Sequence, residues 1–275
     1  MAAPYINLSG PYSIPAPGTG SILAMNGFVF NFTGDKIILC APYNSELYSY
    51  TLATPFLISS TITYSARLSL IWIGSDALED IFIDATGTNA IGMYPSVRCV
   101  QYALGTNFDL STMTVVRSNN ALASGAKSLI ASQDGTRLYT FGTSTLKQYN
   151  LSTPWDISTA SLQDTISSSI SSFVGTGMWL SPYEKRLFVL GSVSGVYSIL
   201  RYDLLERKEI SGAIEYAEFT PVTAPNPYSL KFNEYETKVY ISSSASYAPS
   251  ISTYDGGFYE PIFWTHFKGQ TEYLE

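Results

Sequence analysis

A tyrosine recurs along the chain at intervals of roughly 50 residues, and a branched apolar residue follows each copy eight positions later. The five pairs are Tyr50/Ile58, Tyr102/Leu110, Tyr149/Ile157, Tyr202/Ile210 and Tyr254/Ile262. A self-similar unit of this length is typical of β-propellers and other repeat arrays. The repeat therefore constrains the fold more tightly than any single motif does.

A second pattern lies upstream of each tyrosine: an Asn or Ser, followed five residues later by a usually basic residue that opens an apolar triplet. The copies are Asn31 with Lys36-Ile37-Ile38, Ser75 with Asp80-Ile81-Phe82, Ser132 with Arg137-Leu138-Tyr139, Ser181 with Arg186-Leu187-Phe188, and Asn233 with Lys238-Val239-Tyr240. Only Asp80 departs from the basic pattern. Turn-forming residues such as Thr33-Gly34-Asp35 lie between the two anchors, so each unit is predicted to contain a β-hairpin.

The third unit predicts four short strands, over residues 127–132, 138–142 and 146–150 and after Ile157-Ser158-Thr159. Their content of Ile, Val, Phe, Tyr and Thr between turn clusters is typical of strands. The charged segment 204–209 is interpreted as a polar loop. We predict an all-β fold, a five-bladed β-propeller of four-stranded antiparallel blades over residues 21–275.

Residues 1–20 lie outside the repeats and are rich in Pro and Gly, which predicts a short extended N-terminal arm. Three interpretations remain open: a loosely packed leader, a strand around residues 5–8 that closes the ring on the last blade, or an arm that docks on a neighbouring protein. The candidate docking residues are Pro4, Tyr5, Pro11, Tyr12, Pro15 and Pro17. The chain after Tyr254 has room for a strand around residues 265–273, which would make the fifth blade complete by itself.

The charge excludes one class of partner. The net charge is −7, and the 15 Lys and Arg residues are scattered rather than clustered. Nucleic-acid binding depends on Lys and Arg contacts to phosphates, so no nucleic-acid partner is expected. Charged residues make up only 13% of the chain, and a surface rich in Ser, Thr and Tyr favours a particle component or a sugar-facing adhesin.

Targeting and redox signals are weak. The chain start lacks the basic region and apolar core of a signal peptide, and no apolar stretch approaches transmembrane length. We therefore expect cytoplasmic synthesis without membrane insertion. Cys40 and Cys99 occupy non-equivalent places in the first two units, and we expect both to be free thiols.

Residues for catalysis are sparse. His266 is the single histidine and has no acidic or cysteine neighbour at ligand spacing, so we predict no catalytic, metal or cofactor site. Glycoside hydrolysis needs two carboxylates, and Asp76, Glu79 and Asp80 are the best cluster for it. Because these acids are expected in a surface turn, solvation accounts for them.

The third unit also carries a resemblance. Its segment 132–139 reads Ser-Gln-Asp-Gly-Thr-Arg-Leu-Tyr, and residues 148–160 follow as Gln-Tyr-Asn-Leu-Ser-Thr-Pro-Trp-Asp-Ile-Ser-Thr-Ala. Together they resemble the repeat of YVTN-type β-propellers, and more narrowly the propeller repeats of tailed-bacteriophage structural proteins. The likeness is closest in this unit and weakest in the second and fifth. It implies a virion component made in the host cytoplasm, such as a tail, fibre, spike or capsid-surface protein, but it transfers no binding residue.

The expected function is therefore a non-enzymatic virion structural protein, present in multiple copies, with other virion proteins and a host-surface glycan as partners. The alternatives are a carbohydrate-binding lectin or adhesin and, third, a glycan- or lactone-hydrolysing enzyme. Six tyrosines in or near loops are candidates for stacking on sugars: Tyr43, Tyr48, Tyr94, Tyr197, Tyr247 and Tyr259. The five repeated tyrosines are instead predicted to pack between strands, with hydroxyls that reach a neighbouring backbone.

Overall fold

The computed structural model describes residues 7–14, 25–41, 45–70, 78–95, 97–219, 226–233, 238–245 and 248–255. The strands in chain order are β1 (Asn7–Ser13), β2 (Phe28–Phe30), β3 (Lys36–Ala41), β4 (Glu46–Leu52), β5 (Ile62–Ser69), β6 (Asp80–Ile83), β7 (Asn89–Tyr94), β8 (Arg98–Leu104), β9 (Met113–Asn119), β10 (Ala126–Ala131), β11 (Arg137–Gly142), β12 (Thr145–Leu151), β13 (Ala160–Ser167), β14 (Val174–Leu180), β15 (Arg186–Val193), β16 (Val196–Asp203), β17 (Ile214–Phe219), β18 (Pro227–Phe232), β19 (Lys238–Ala245) and β20 (Ala248–Asp255). Short 3-10 turns at Leu110–Thr112, Ala121–Ala123 and Ile157–Thr159 are the helical elements of this part of the chain.

The strands form five antiparallel four-stranded sheets: β2–β5, β6–β9, β10–β13, β14–β17, and β18–β20 together with β1. The predicted five-bladed propeller is confirmed. The first strands of the blades contact one another around a common axis, and the fourth strands form the outer edge, where alternate side chains are exposed, as in β5 and β13. The apolar core lies between blades, because the buried clusters combine residues of adjacent sheets.

The ring is closed by the N-terminal strand. β1 pairs antiparallel with β20, with Asn7 opposite Asp255 and Tyr12 opposite Ile251. Among the three interpretations of this segment the structure therefore supports ring closure, and a fifth blade complete by itself is wrong, because β1 occupies the outer edge of β20. Pro11 and Tyr12 belong to this blade strand rather than to a free arm. Pro4, Tyr5, Pro15, Pro17 and residues 265–273 lie outside the described residues.

The predicted hairpin turns are held by the Asn or Ser anchors. Asn31 Oδ1 accepts the Lys36 N–H at 2.9 Å, and Ser132 Oγ accepts the Arg137 N–H at the same distance. Ser181 and Asn233 make the same bond in their blades.

The predicted register of the second unit is wrong. Its anchor is Asp84, whose Oδ1 accepts the Asn89 N–H at 3.1 Å. Asp80 therefore opens the first strand of the blade rather than the second, and Asn89, which opens the second strand, is not basic either. The position of Gly87 indicates the correct register, because it follows Asp84 at the same distance at which Gly34 follows Asn31.

An aromatic ring covers the turn glycine in three blades. Gly135 has φ +68° and Trp155 has φ +65°, and the Trp155 N–H donates to Gly135 O at 2.9 Å. The indole lies where a side chain on Gly135 would stand, since a Cβ there would meet ring atoms at 2.4 Å. Phe56 covers Gly34, and Phe108 covers Gly87, in the same way. In the fourth blade Glu184 and Lys208 take the two positions, both again at positive φ.

The loop that carries the covering residue, Phe56 in the first blade and Lys208 in the fourth, docks on the preceding blade. Tyr139 Oη donates to Lys208 O at 2.7 Å, and Tyr240 Oη donates to Phe56 O at 2.7 Å. The second of these bonds links the last blade to the first and so supports closure of the ring.

The hydroxyls of the repeated tyrosines do not reach a neighbouring backbone where their bonds are described. Tyr102 Oη bonds Tyr94 Oη at 2.9 Å, and Tyr202 Oη donates to Glu215 at 2.6 Å. Burial of these tyrosines is nevertheless confirmed for Tyr50, Tyr102, Tyr149 and Tyr202. The backbone contact is made instead from the second strand, by Tyr139 and Tyr240.

Both cysteines are free, as predicted, and both are buried. Cys40 Sγ donates to Leu78 O at 2.9 Å, from the first blade to the second. Burial raises the pKa of Cys40 well above its usual value and raises that of Cys99 to about 12.

Candidate functional site: an axial funnel

A cavity of about 410 Å³ opens at the propeller axis. Its lining comes mainly from the ends of the first strands of all five blades and from the turns that follow four of them, and Phe56 adds to it from the loop after β4. A cavity of this size lies within the range of small-molecule sites. We call it the axial funnel. No motif in the sequence predicted it.

Aligning the five blades on their turn anchors shows how the axial funnel is built. The residues two positions before the anchors form its wall: Val29, Phe82, Ile130, Trp179 and Lys231. Four of these five are apolar or aromatic, so Lys231 is the exception. The residues four positions before the anchors share the same strand face, one layer below: Gly27, Asp80, Ser128, Gly177 and Ser229. In this layer Asp80 is the exception among small residues.

Contacts between neighbouring blades confirm the lower layer. Asp80 Oδ2 accepts Ser128 Oγ of the next blade at 2.8 Å. A Cβ on Gly27 would lie 2.9 Å from Asp80 Oδ1, and one on Gly177 would lie 2.6 Å from Ser229 Cα. Gly27 therefore leaves space that the Asp80 carboxylate fills, and Gly177 lets its strand pack closely on Ser229.

Aromatic residues lie at the rim of the axial funnel, in the turns directly after the anchors. Phe32 is 68% exposed and Tyr183 is 72% exposed, and both line the axial funnel. Gln133 occupies the Phe32 position in the third blade and is also exposed. Deeper in the wall, Trp179 and Phe232 pack with ring centroids 4.7 Å apart. The rim thus combines exposed rings with an amide and a phenol hydroxyl.

Lys231 is the cation of the axial funnel. It is 6% exposed, and its Nζ donates to Met178 O at 3.1 Å. Burial lowers the pKa of Lys231, and the charge of Asp80 opposes that change. The other charged lining residue, Asp84, is held by its own turn, where it accepts bonds from Thr86, Thr88 and Asn89.

Asp80 corrects the expected surface cluster of acids. It is 1% exposed, and its carboxylate accepts bonds from the Ile81 N–H at 3.0 Å, Ser128 Oγ at 2.8 Å and the Leu129 N–H at 3.2 Å. Burial raises the pKa of Asp80, while Lys231 and these bonds lower it in part. Asp80 is thus an axial residue and not part of a solvated turn. Asp76 and His266 lie outside the described residues.

The three described tyrosines among those proposed to stack on sugars do not form a site. Tyr48 is 2% exposed and donates to Glu46, and Tyr94 is fully buried. As core residues they cannot stack on a ligand from solvent, so both predictions are wrong. Tyr197 is half-buried against an apolar cluster of the fourth and fifth blades. Tyr43, Tyr247 and Tyr259 lie outside the described residues.

Two features are absent from the described residues. No group of three or more His, Cys, Asp or Glu side chains there is placed to hold a metal ion. No helix in that part of the chain is long and apolar enough to cross a membrane.

Comparisons with known proteins identify no family. No family model matches the chain, and no curated protein matches it. A functionally unknown protein from Desulfotomaculum acetoxidans is similar in structure, with a TM-score of 0.48 and 12% identity over 79% of this chain, which spans 62% of that protein. The β-propeller domain of Myceliophteria thermophila Cps50 (Swd1) gives a TM-score of 0.49 and 7% identity over 83% of this chain and 82% of that domain.

Proposed function

We propose that the chain is a non-enzymatic recognition propeller that binds a glycan in the axial funnel. The observation that carries this proposal is the set of rings exposed at the mouth of a cavity to which all five blades contribute. The apolar face of a sugar packs on aromatic rings, while amide and hydroxyl groups beside them bond its hydroxyls. Phe32 and Tyr183 supply the rings, and Gln133 and the Tyr183 hydroxyl supply the polar groups.

The proposed setting is a bacteriophage virion, in a tail, fibre, spike or capsid-surface protein. This part rests on the resemblance of the third repeat to phage propeller repeats and on the low content of charged residues, 13%. Host recognition needs a presented surface more than a reactive one, and the exposed rim residues Phe32, Gln133 and Tyr183 provide such a surface. Other virion proteins would hold the propeller, in several copies.

The experiment is a glycan array with the purified protein and two rim variants. Phe32→Ala and Tyr183→Ala should each reduce binding about tenfold, since one packed aromatic ring contributes on the order of 1 kcal/mol or more. Tyr216→Ala is the matched control, because Tyr216 is an exposed tyrosine on β17, outside the axial funnel. Absence of glycan binding, or equal loss in the control, would refute the recognition role.

The virion setting has a separate test. Particles should be purified from the phage whose genome encodes this chain. Mass spectrometry should detect the chain in them, in proportion to the other structural proteins. Failure to detect the chain in particles, with the structural proteins present, would refute the virion setting while leaving glycan binding intact.

A further inference from the structure

We propose that the axial funnel selects a sugar that carries a carboxylate, with Lys231 as the group that binds it. This inference rests on the proposed glycan binding and adds the chemical class of the ligand. In the wall layer, the fifth blade places Lys231 where the other four blades place Val29, Phe82, Ile130 and Trp179. A buried lysine at a position that otherwise takes apolar residues is costly to the fold unless its charge is compensated.

The described contacts compensate the charge only in part. A lysine ammonium has three N–H donors, and the described bond of Lys231 is the one to Met178 O. Lys231 makes no ion pair at contact distance within the described ranges, and the carboxylate of Asp80 is already held by three donors of the second and third blades. Asp80 acts on Lys231 through its charge, one layer further from the mouth.

The position of Lys231 suits a ligand anion. It lies in the wall of the cavity, so an acceptor entering from the rim would meet the ammonium where water is largely excluded. Charge-assisted hydrogen bonds in such surroundings are roughly twice as strong as neutral ones. A sugar acid fits both parts of the site, since its ring packs on the rim aromatics and its carboxylate reaches the lysine.

The test measures binding of galacturonic acid and N-acetylneuraminic acid, of the methyl ester of each, and of galactose, to the whole protein by calorimetry. One of the acids should bind at least about tenfold more tightly than its ester, as expected for one charge-assisted bond. Lys231→Met should bring the acid to the level of the ester. Lys147→Met is the matched control, because Lys147 lies on β12 outside the axial funnel, and it should change nothing.

The outcomes separate the two proposals. Equal binding of acid and ester, with binding lost in Phe32→Ala, would overturn the role of Lys231 and leave glycan recognition standing. No binding of these sugars or of any arrayed glycan would overturn both. The comparison of acid with ester uses the unaltered protein, so it decides the question even if Lys231→Met fails to fold.

Discussion

Replacing the turn glycine of the third blade tests whether the covering aromatic ring fixes the blade. Gly135 and Gly195 both have positive φ, +68° and +81°. Alanine at either position should cost about 1–2 kcal/mol of backbone strain. A Cβ on Gly135 would also meet the Trp155 ring at 2.4 Å, whereas nothing lies within 4 Å of a Cβ on Gly195. Overpacking of this kind adds about 1–3 kcal/mol, so Gly135→Ala should cost about 2–5 kcal/mol in all.

The assay is urea unfolding of both variants, with the free energy of unfolding taken from the midpoint and slope. The pair should also be measured in a Trp155→Ala background, where the ring is absent and the two alanine substitutions should cost nearly the same. The expected coupling between Gly135 and Trp155 is about 1–3 kcal/mol. Equal losses for Gly135→Ala and Gly195→Ala in the unaltered background would refute the argument that the indole occupies the space above the turn.

Three other results are expected. Tyr139→Phe should lower the free energy of unfolding by about 1 kcal/mol, because it removes the hydrogen bond to Lys208 O. Tyr183→Phe is the control, since it changes an exposed residue and should leave the urea midpoint unchanged. Equal midpoints for the two variants would contradict the prediction. Burial raises the pKa of Glu209, but bonds from Arg137 and Gln148 outweigh it and lower the pKa below 4.5. The resulting stabilisation is present above that pH and lost as the pH falls through the lower folded value, so Glu209→Gln should flatten the acid side of the stability curve; an unchanged slope would count against it. Removal of residues 7–13 should produce oligomers in size-exclusion chromatography, because the edge of β20 is left unpaired, and a monomeric elution would contradict the assignment of β1.

The blade count and the hairpins could be predicted from the sequence because they depend on local chemistry. Asn31, Ser132 and Ser181 each satisfy a backbone N–H five residues ahead, and such short-range bonds require particular residue types at fixed spacing. The prediction for the second blade failed because Ser75 and Asp80 have the spacing of an anchor and a strand start by chance. The true anchor, Asp84, is an acid rather than an Asn or Ser.

The axial funnel could not be found from motifs. Its lining residues lie on five different strands and share no sequence pattern, since the wall positions differ in every blade. Lys231 would have stood out only after the five units had been aligned on the correct anchors, beside four apolar residues. Ring closure was likewise undecidable, because the pairing of Tyr12 with Ile251 joins segments at opposite ends of the described chain.

The pairing of β1 with β20 also sets an order of events during synthesis. Asn7 leaves the ribosome before all four of the first blades, yet its partner Asp255 is made only after them. Contacts of such long sequence separation form slowly. The first four blades can form as they emerge, while β1 waits for the last blade. A translation pause before β20 is complete, or a tag fused directly ahead of β1, would therefore act on the closure of the ring more than on any earlier step of folding.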